Sequence, residues 1–536
     1  MPEAPSCARL PGKVNVALPT EELMPFTSPL PDVEIPDVPL TEYVLARAAE
    51  LGDKPALIDG PTGRTITYAG LAGAVRSFAG GLQAQGFGKG DVLALMSPNI
   101  PEYAVIFHGV ALAGGIITTI NPTYTHQEVH KQLVDSGATL LVTVPMFLEV
   151  ATQGAEGTSV REVYVLGEAE GARPVTELFG APVDQVPVAS GDVVALPYSS
   201  GTTGVNKGVM LTHGNLVANV AQVLAGANIR EDEVFIAVLP FFHIYGMQVL
   251  MNTGLRAGIT IITLPRFDLE QFLKAHQDHG ITRSFVAPPI VVALAKHPMV
   301  DDYDLSKLEQ VFSGAAPLSA ELSLECGARL GCDVVQGYGM TESSPVTHLT
   351  PPGNYKPGSC GVTAPSTVTK IVDPATGEEV GVDVDGEVCI HGPQVMIGYL
   401  NNPQATEATI DPEGWLHTGD IGHIDADGHL WIVDRLKELI KVSGFQVAPA
   451  ELEALLLTHP QVADAAVVGR PDERSGEVPV GFVVLKAGAT VSEQDVADFV
   501  AGQVAHYKQL RHVEFIDAIP KSASGKILRR MLRDPA

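Results

Sequence analysis

The segment richest in possible phosphate-binding groups is residues 198–215, YSSGTTGVNKGVMLTHGN. Its hydroxyls and glycines can direct many N–H and O–H donors at phosphate oxygens. A Walker A loop is disfavoured, because Lys207 is followed by Gly208 and not by the Ser or Thr that holds magnesium in that motif. A surface turn is the alternative, but the density of hydroxyls beside one lysine favours phosphate binding. The predicted phosphate-binding residues are Ser199, Ser200, Gly201, Thr202, Thr203, Gly204 and Lys207.

Five further clusters follow along the chain. They are PFFHIYGM (240–247), QGYGMTESSP (336–345), GWLHTGDIGHID (414–425), DRLKELIKVSGFQVAPAELE (434–453) and PKSASGKILRR (520–530). Together with SSGTTGVNKG they resemble, in order, the motif set of the adenylate-forming superfamily of acyl-CoA synthetases, firefly luciferases and peptide-synthetase adenylation domains. The resemblance runs from about residue 40 to about residue 530. Within the superfamily, DRLKELIK, QGYGMTE and GEVCIHGPQVMIGYLNNPQAT look most like 4-coumarate–CoA ligases.

The resemblance implies an ATP-dependent acid–CoA ligase. A carboxylate is a poor acyl donor, so it first attacks the α-phosphate of ATP, releasing pyrophosphate and giving an acyl adenylate. The thiol of coenzyme A then displaces AMP. The expected partners are ATP, coenzyme A and a small carboxylic acid, with Mg²⁺ as cofactor. A hydroxycinnamate such as 4-coumarate is the expected acid, and a medium-chain fatty acid or another aryl acid is the alternative.

Charge neutralisation on the phosphates and on the incoming carboxylate requires cations and hydrogen-bond donors. By resemblance, Lys526 bridges carboxylate and α-phosphate oxygens, Glu342 holds magnesium and Thr341 contacts the α-phosphate. The alternatives are a solvated lysine in a basic tail for Lys526 and a helix-N-terminal acid for Glu342.

The nucleoside contacts are also implied by resemblance. Asp420 and Arg435 match the pair that grips the ribose hydroxyls, and Tyr338 is expected against the adenine. Gln336 and Gly337 belong to the same expected nucleotide site. A turn-capping aspartate is the alternative for Asp420, and a core aromatic residue is the alternative for Tyr338.

The second half-reaction has its own candidates. His243 lies in an apolar run, where a core histidine is the alternative, and by resemblance it borders the acyl and thiol sites. Lys441 and Gln446 match contacts to the phosphate and carboxylate of the intermediate. Ser443 and Gly444 are expected near the tunnel for coenzyme A.

The small residues of SGAAPL (313–318) predict a pocket for a flat aromatic ring, and ordinary close packing in a core is the alternative interpretation. By resemblance to 4-coumarate–CoA ligases, the expected acyl-pocket residues are Tyr245, Ser313, Gly314, Ala315, Gly337, Pro345 and Val346. Three positions depart from the family pattern: Asn206 replaces proline, Ser443 replaces the lysine of plant ligases, and Ser344 replaces a common glycine. The first is expected to loosen a turn, and the other two leave coenzyme A contacts and substrate identity open.

Lys526 must enter the site for adenylation and leave it for thiol attack. The resemblance implies that a small C-terminal domain rotates about a hinge at Lys437, although a surface lysine is the alternative. The predicted divisions are an N-terminal nucleotide- and acyl-binding domain over 1–433, a hinge over 434–439 and a C-terminal lid domain over 440–536.

The elements that position these residues alternate between helical and strand patterns, which predicts an α/β fold. The large N-terminal domain should contain α/β subdomains and, after about residue 370, a sheet-rich subdomain of hairpins. The C-terminal part is expected to be a small, mobile α+β domain. The uncharged stretch 103–120 is interpreted as a buried helix followed by a strand and not as a membrane span.

Composition limits the function further. The formal net charge is −28, from 34 Lys and Arg against 62 Asp and Glu, which disfavours nucleic acid as a partner. Five cysteines without a CxxC pair favour a reducing cytoplasm over a disulfide or zinc framework. The chain shows no secretory or peroxisomal signal. It is expected to be a monomer or a homodimer.

Three other functions are consistent with parts of this pattern. A free-standing adenylation enzyme would load a carrier protein, and a luciferase-like oxygenase would emit light from a luciferin adenylate. A non-catalytic nucleotide-binding homologue would be expected to lose Lys526 or Glu342, and both are present.

Overall fold

Two largely parallel sheets form the frame of the N-terminal part in this computed structural model, which describes residues 25–199, 206–443, 445–472, 474–522 and 525–533. The first sheet has eight strands, five of whose neighbour pairs are parallel. Its strands, in spatial order, are Gly398–Tyr399, Lys207–Thr212, Val193–Ser199, Ile116–Thr119, Val92–Met96, Leu140–Thr143, Glu162–Val165 and Arg173–Pro174.

The second sheet has seven strands, and every pair except the last is parallel. Its strands, in spatial order, are Asp333–Gln336, Gln310–Ser313, Arg283–Val286, Val234–Ala237, Thr260–Thr263, Pro55–Asp59 and Thr65–Thr67. Apolar side chains fill both faces of these strands, as expected for parallel sheets covered by helices.

Hairpins replace this pattern in the region that the sequence predicted to be rich in sheet. A five-stranded antiparallel sheet contains Phe26–Thr27, Val368–Val372, Gly386–His391, Leu416–Ile424 and Leu430–Arg435. A three-stranded sheet contains Tyr338–Gly339, Val346–Leu349 and Val362–Thr363. The α/β fold class with a sheet-rich subdomain is therefore confirmed.

The C-terminal part has its own sheet and its own hydrophobic core. Its strands are Ile440–Val442, Phe445–Val447, Val462–Asp472, Gly476–Leu485 and His512–Phe515. The preceding strand of the N-terminal part ends at Arg435, so Asp434 and Arg435 belong to that part. Residues 436–439 alone join the two sheets, a shorter connection than the predicted hinge.

Helices cover the sheets. Those of the N-terminal part are Leu40–Val44, Ala48–Leu51, Tyr68–Ala84, Glu102–Leu112, His126–Ser136, Leu148–Ala155, His213–Ala227, Thr253–Ala257, Leu269–His279, Pro288–Lys296, Ala320–Leu330 and Pro403–Glu407. Those of the C-terminal part are Pro449–Thr458, Glu493–Ala501 and Arg530–Arg533.

Local chemistry explains where the helix after the phosphate-binding segment begins and ends. The Thr212 side chain accepts a hydrogen bond from Asn215 N, and the Asn215 side chain accepts one from Thr212 N, which forms a capping box. Asn228 closes the helix with a left-handed φ of 47°. The helix therefore starts at His213, where the sequence predicted it.

The uncharged stretch 103–120 forms the buried helix Glu102–Leu112 and the strand Ile116–Thr119, as predicted. Within the part of the chain that the structure describes, no helix combines the length and the apolar character needed to cross a bilayer.

Candidate active site

A cavity of about 1060 Å³ lies where the N-terminal and C-terminal parts meet. His243, Tyr338, Thr341 and Glu342 line it from the N-terminal part. Lys526 lines it from the C-terminal part. Side chains from three predicted motifs that are far apart in the sequence therefore face one space.

The phosphate-binding segment enters this cavity as a hairpin. Ser199 and Lys207 pair across two antiparallel strands, and both line the cavity. The Lys207 ammonium lies 4.4 Å from the centre of the Tyr399 ring, a cation–π contact that fixes its position. Between these two residues, the candidates Ser200, Gly201, Thr202, Thr203 and Gly204 lie outside the described residues.

Glu342 is held by two hydroxyl groups. Ser199 Oγ and Tyr399 OH each donate a hydrogen bond of 2.8 Å to Glu342 Oε1. Only 4% of Glu342 is exposed to solvent. The carboxylate and both hydroxyls are oxygen groups, the ligand type that Mg²⁺ prefers, so this part of the wall fits the predicted metal.

Asp420 and Arg435 are cross-strand partners in the five-stranded sheet. Arg435 Nε lies 3.0 Å from Asp420 Oδ1, and Tyr338 OH donates a hydrogen bond of 2.7 Å to Asp420 Oδ2. Asp420 is 5% exposed, while Arg435 and Tyr338 line the cavity. The three predicted nucleoside-binding residues thus form one connected group.

Gln336 behaves differently from its neighbours in the same motif. Its amide Nε2 donates to Leu318 O, and its Oε1 accepts from Leu318 N, each at 3.0 Å. The side chain therefore supports the backbone of the adjacent segment, whereas Gly337 lines the cavity. A Cβ at position 337 would lie 2.6 Å from the Phe312 ring, which explains the requirement for glycine there.

The charge of Lys526 acts on His243 across the cavity. Burial, followed by the charge of Arg435, lowers the pKa of Lys526 to about 8. Burial, followed by the charge of Lys526, lowers the pKa of His243 to about 4. At neutral pH the lysine is therefore largely protonated and the imidazole is neutral.

The turn that carries Lys526 closes on itself. Ser522 N donates to Lys526 O at 2.8 Å, and Lys526 N donates to Ser522 Oγ at 3.2 Å. Next to it, a Cβ on Gly525 would lie 2.9 Å from Ala287 Cβ of the N-terminal part. The two parts are therefore in close contact at the lysine.

The segment after Lys526 is anchored in the C-terminal part. Arg529 Nη2 donates to both carboxylate oxygens of Glu453, at 2.8 and 2.7 Å. Arg529 Nε also donates to Val467 O at 3.2 Å. This bidentate pair lies within the C-terminal part, so the segment that carries Lys526 is anchored there. Lys526 reaches the cavity from the C-terminal part and is not attached to its N-terminal wall.

Most of the predicted acyl-pocket residues line the cavity. They are Tyr245, Gly314, Ala315, Gly337, Pro345 and Val346. Ser313 is buried behind them, with only 1% of its surface exposed. Tyr245 OH donates to Phe312 O at 3.3 Å, and a Cβ on Gly314 would lie 2.8 Å from the Tyr245 ring.

Lys441, Gln446 and Ser443 are not brought to the cavity. Lys441 and Gln446 face each other in a hairpin of the C-terminal sheet, and both are exposed. Ser443 is also exposed and has a φ of 50°. Gly444 lies outside the described residues, whereas Lys437 lines the cavity from the short connection.

Sequence reasoning missed two contributors to this site, Tyr399 and Phe312, and did not foresee the contact that Asn206 makes. Tyr399 contacts both Lys207 and Glu342, and its only signal was its place in GYLNN. Phe312 lines the cavity from the end of a strand. Asn206 donates through Nδ2 to Tyr124 OH at 2.8 Å, so the residue that replaces proline is held by a side-chain contact.

Ser344 has a structural explanation that the sequence did not supply. Its φ is 69°, in the left-handed region that glycine adopts without steric cost. The glycine common at this position in the family is therefore favoured by the backbone, and serine adopts the same conformation here.

Comparisons with known proteins agree with this geometry. A profile described as AMP-binding enzyme matches residues 44–400, and one described as AMP-binding enzyme C-terminal domain matches residues 451–526. The chain is 47% identical over 526 residues to 4-coumarate–CoA ligase 3 of Oryza sativa subsp. japonica, covering 96% of this chain and 95% of that relative. It is 47% identical over 529 residues to 4-coumarate–CoA ligase 1 of Petroselinum crispum, covering 96% and 97%.

Solved structures show the same architecture. ATP-bound MatB from Rhodopseudomonas palustris superposes with a TM-score of 0.84 at 30% identity, covering 92% of this chain and 98% of that one. The anthranilate CoA ligase AuaEII in complex with anthranoyl-AMP gives a TM-score of 0.87 at 26% identity, covering 92% and 96%. The chain therefore belongs to the AMP-binding enzyme family, the adenylate-forming superfamily whose ordered motifs run through its sequence.

Proposed function

We propose that this chain is an ATP-dependent acid–CoA ligase whose acid is a hydroxycinnamate such as 4-coumarate. One observation carries the proposal: Lys526 of the C-terminal part lines the same cavity as Thr341, Glu342 and Arg435 of the N-terminal part. The relatives named 4-coumarate–CoA ligase, matched over nearly their full length, support both the reaction and the acid.

Lys526 neutralises charge in the first half-reaction. With a pKa of about 8 it is largely protonated at neutral pH, and its ammonium can contact the carboxylate and the α-phosphate at once. Ser199, Lys207 and Thr341 supply further donors to the phosphates. Bond formation between carboxylate and phosphorus expels pyrophosphate and leaves the acyl adenylate.

The residues around Glu342 would hold Mg²⁺. Ser199 and Tyr399 orient the carboxylate of Glu342 before any ligand arrives, since both hydroxyls already donate to its Oε1. Bound there, the ion would supply positive charge beside the phosphates of ATP.

Asp420, Arg435 and Tyr338 bind the nucleoside in this proposal. Asp420 can accept from the ribose hydroxyls, and Arg435, which is always charged, holds Asp420 in place. The aromatic ring of Tyr338 faces the cavity where an adenine can lie against it.

In this proposal, the second half-reaction uses a face of the C-terminal part other than the one that carries Lys526. Lys526 occupies the cavity in this arrangement, while Lys441 and Gln446 are exposed on a separate hairpin. Rotation about residues 436–439, with Lys437 as the pivot, would withdraw Lys526 and present that hairpin together with Ser443 and Gly444. Neutral His243 is then available to orient or deprotonate the thiol of coenzyme A.

The shape of the cavity favours a flat aryl acid. Tyr245 and Phe312 line it together with Gly314 and Gly337, where hydrogen atoms take the place of side chains. A medium-chain fatty acid or another aryl acid is the alternative substrate. A carrier protein is the alternative thiol. The cytoplasm remains the predicted compartment, supported by the free thiols of Cys326, Cys332, Cys360 and Cys389 in the described part of the chain.

Product analysis tests the proposal. The enzyme is incubated with ATP, Mg²⁺ and a panel of hydroxycinnamates, other aryl acids and fatty acids, with and without coenzyme A. AMP, pyrophosphate and a hydroxycinnamoyl-CoA are expected. Turnover with fatty acids alone would overturn the proposed acid, and adenylate without thioester would indicate a carrier protein as acceptor.

A further inference from the structure

Three side chains with metal-ligating groups converge on the five-stranded sheet, outside the residues assigned above. Cys389 and His417 are direct cross-strand partners, and Glu387 precedes Cys389 by two residues. His417 Nδ1 lies 2.9 Å from Glu387 Oε2 and 3.5 Å from Cys389 Sγ. The ligand atoms of all three lie within 4.8 Å of one another.

The distance between Cys389 Sγ and His417 Nδ1 matches the spacing of two ligands around one cation. Tetrahedral zinc bonds of about 2.3 Å to sulfur and about 2.0 Å to nitrogen place those two ligand atoms about 3.5 Å apart. Thiolate, imidazole and carboxylate are also the three ligand types that zinc takes in proteins. Mg²⁺ prefers oxygen ligands alone, so this cluster differs in chemistry from Glu342.

The polar contacts within the cluster converge on one ring nitrogen. The Nδ1 atom of His417 carries either one hydrogen or one lone pair, yet it faces both Cys389 Sγ and Glu387 Oε2. A cation placed among the three would accept electron pairs from all of them at once.

We propose that Glu387, Cys389 and His417 bind one divalent cation of the zinc class. Glu387 and His417 line the large cavity, from which water can supply a fourth ligand. The other oxygen of Glu387, Oε1, accepts from Gly419 N at 3.0 Å, so the carboxylate binds the cation through Oε2. Cys389 is buried, and its thiolate would be the third protein ligand.

A carboxylate beside the cluster supports metal binding by His417. His417 Nε2 lies 3.7 Å from Asp411 Oδ2, and a carboxylate beside the second ring nitrogen is the usual partner of a metal-bound histidine.

Cobalt(II) provides the probe, because a thiolate ligand gives it a charge-transfer band in the near ultraviolet. The full-length chain is stripped with a chelator and titrated with Co²⁺, without ATP or acid. We expect one Co²⁺ per chain with this band, and its loss when Zn²⁺ is added. Cys389→Ser is expected to abolish the band, whereas the control Cys360→Ser, a buried cysteine outside the cluster, keeps it.

Two further variants keep the proposal testable if Cys389→Ser does not fold. Asp411→Asn retains the Oδ1 atom that accepts from Trp415 N, and it is expected to lower zinc affinity about 10- to 100-fold in a chelator competition. Glu387→Gln is expected to alter the cobalt spectrum. A wild-type chain without the thiolate band, or a band that Cys389→Ser, Glu387→Gln and Asp411→Asn all leave unchanged, would overturn the proposal.

Discussion

The two sides of the cavity are built differently. On the N-terminal side, Glu342 and Asp420 are almost fully buried, and hydroxyl or guanidinium groups hold their carboxylate oxygens. On the C-terminal side, Lys526 lies in a turn where hydrogen bonds join its backbone to Ser522. The side chains of the N-terminal wall are therefore held by one another, whereas Lys526 is carried by the C-terminal part.

In the proposed mechanism, the N-terminal wall binds the reactants, and the C-terminal part switches the site between the two half-reactions. Groups that are hydrogen-bonded before the ligand arrives need no reorganisation during the reaction, so they stabilise developing charge efficiently. A group on a small domain joined by residues 436–439 can be withdrawn without disturbing that wall. Variants on the two sides should therefore fail in different ways.

Lys526→Ala should produce the largest effect. We expect adenylate formation to fall about 100- to 1000-fold, because one charge-stabilising donor is removed from the transition state. Thioester formation from a supplied acyl adenylate should stay near the wild-type rate. Rapid-quench measurement of each half-reaction checks this.

Lys508→Ala is the matched control for Lys526→Ala. Lys508 pairs with Glu451 within the same C-terminal part and does not line the large cavity. Both half-reactions should remain close to wild type in this variant. Equal loss of both half-reactions in Lys526→Ala would contradict the separation of wall and lid.

Lys441→Ala should show the opposite selectivity. A charge-assisted contact to the intermediate is lost only after rotation, so we expect the thioester step to slow about tenfold to a hundredfold. Adenylation should change little. Lys486→Ala, whose ammonium donates to Pro460 O, is the control in the same domain. If Lys441→Ala slows adenylation equally, the enzyme does not use one face of the C-terminal part for adenylation and another for thioester formation.

Tyr399→Phe tests the wall itself. The variant removes the hydroxyl that donates to Glu342 and keeps the ring beside Lys207. We expect kcat/KM for adenylation to fall about tenfold, the effect of one hydrogen bond to a charged group. Tyr355→Phe, which loses a hydroxyl contact to Ser323 outside the cavity, should be neutral. A neutral Tyr399→Phe would show that Glu342 is positioned without it.

The smallest effect is a pH dependence. Lys526 has a pKa lowered to about 8, so its positive charge is present below that pH and is lost above it. The kcat/KM of adenylation, which reports the free enzyme, should fall to about half its plateau near pH 8. In Lys526→Arg the remaining activity should lack this fall, because guanidinium stays charged. A profile that is flat through pH 9 would contradict the lowered pKa of Lys526.

Much of the fold and of the site could be predicted from the sequence. Alternating helical and strand patterns and hairpin turns are local signals, and they predicted the α/β frame and the sheet-rich region. Lys526, Glu342 and Tyr338 could be identified because their motifs resemble those of the adenylate-forming superfamily. The structure places all three at one cavity.

Other features depend on contacts between distant segments. Tyr399 reaches Glu342 across 57 positions of sequence, and nothing local in GYLNN indicates that contact. The resemblance placed Gln336 in the nucleotide site, whereas its amide forms hydrogen bonds with the backbone of Leu318. Which face of the C-terminal part meets the cavity is set by domain arrangement, so Lys441 and Gln446 could not be located from their motif.

Gly525 gives the closed arrangement a narrow tolerance. It has a φ of 83°, and a methyl group at its Cα would overlap Ala287 across the junction. The C-terminal part can approach the N-terminal part this closely only because residue 525 has no Cβ atom. In the proposed mechanism, the balance between molecules ready for adenylation and molecules ready for thiol attack can therefore be set at Gly525, the residue directly before Lys526.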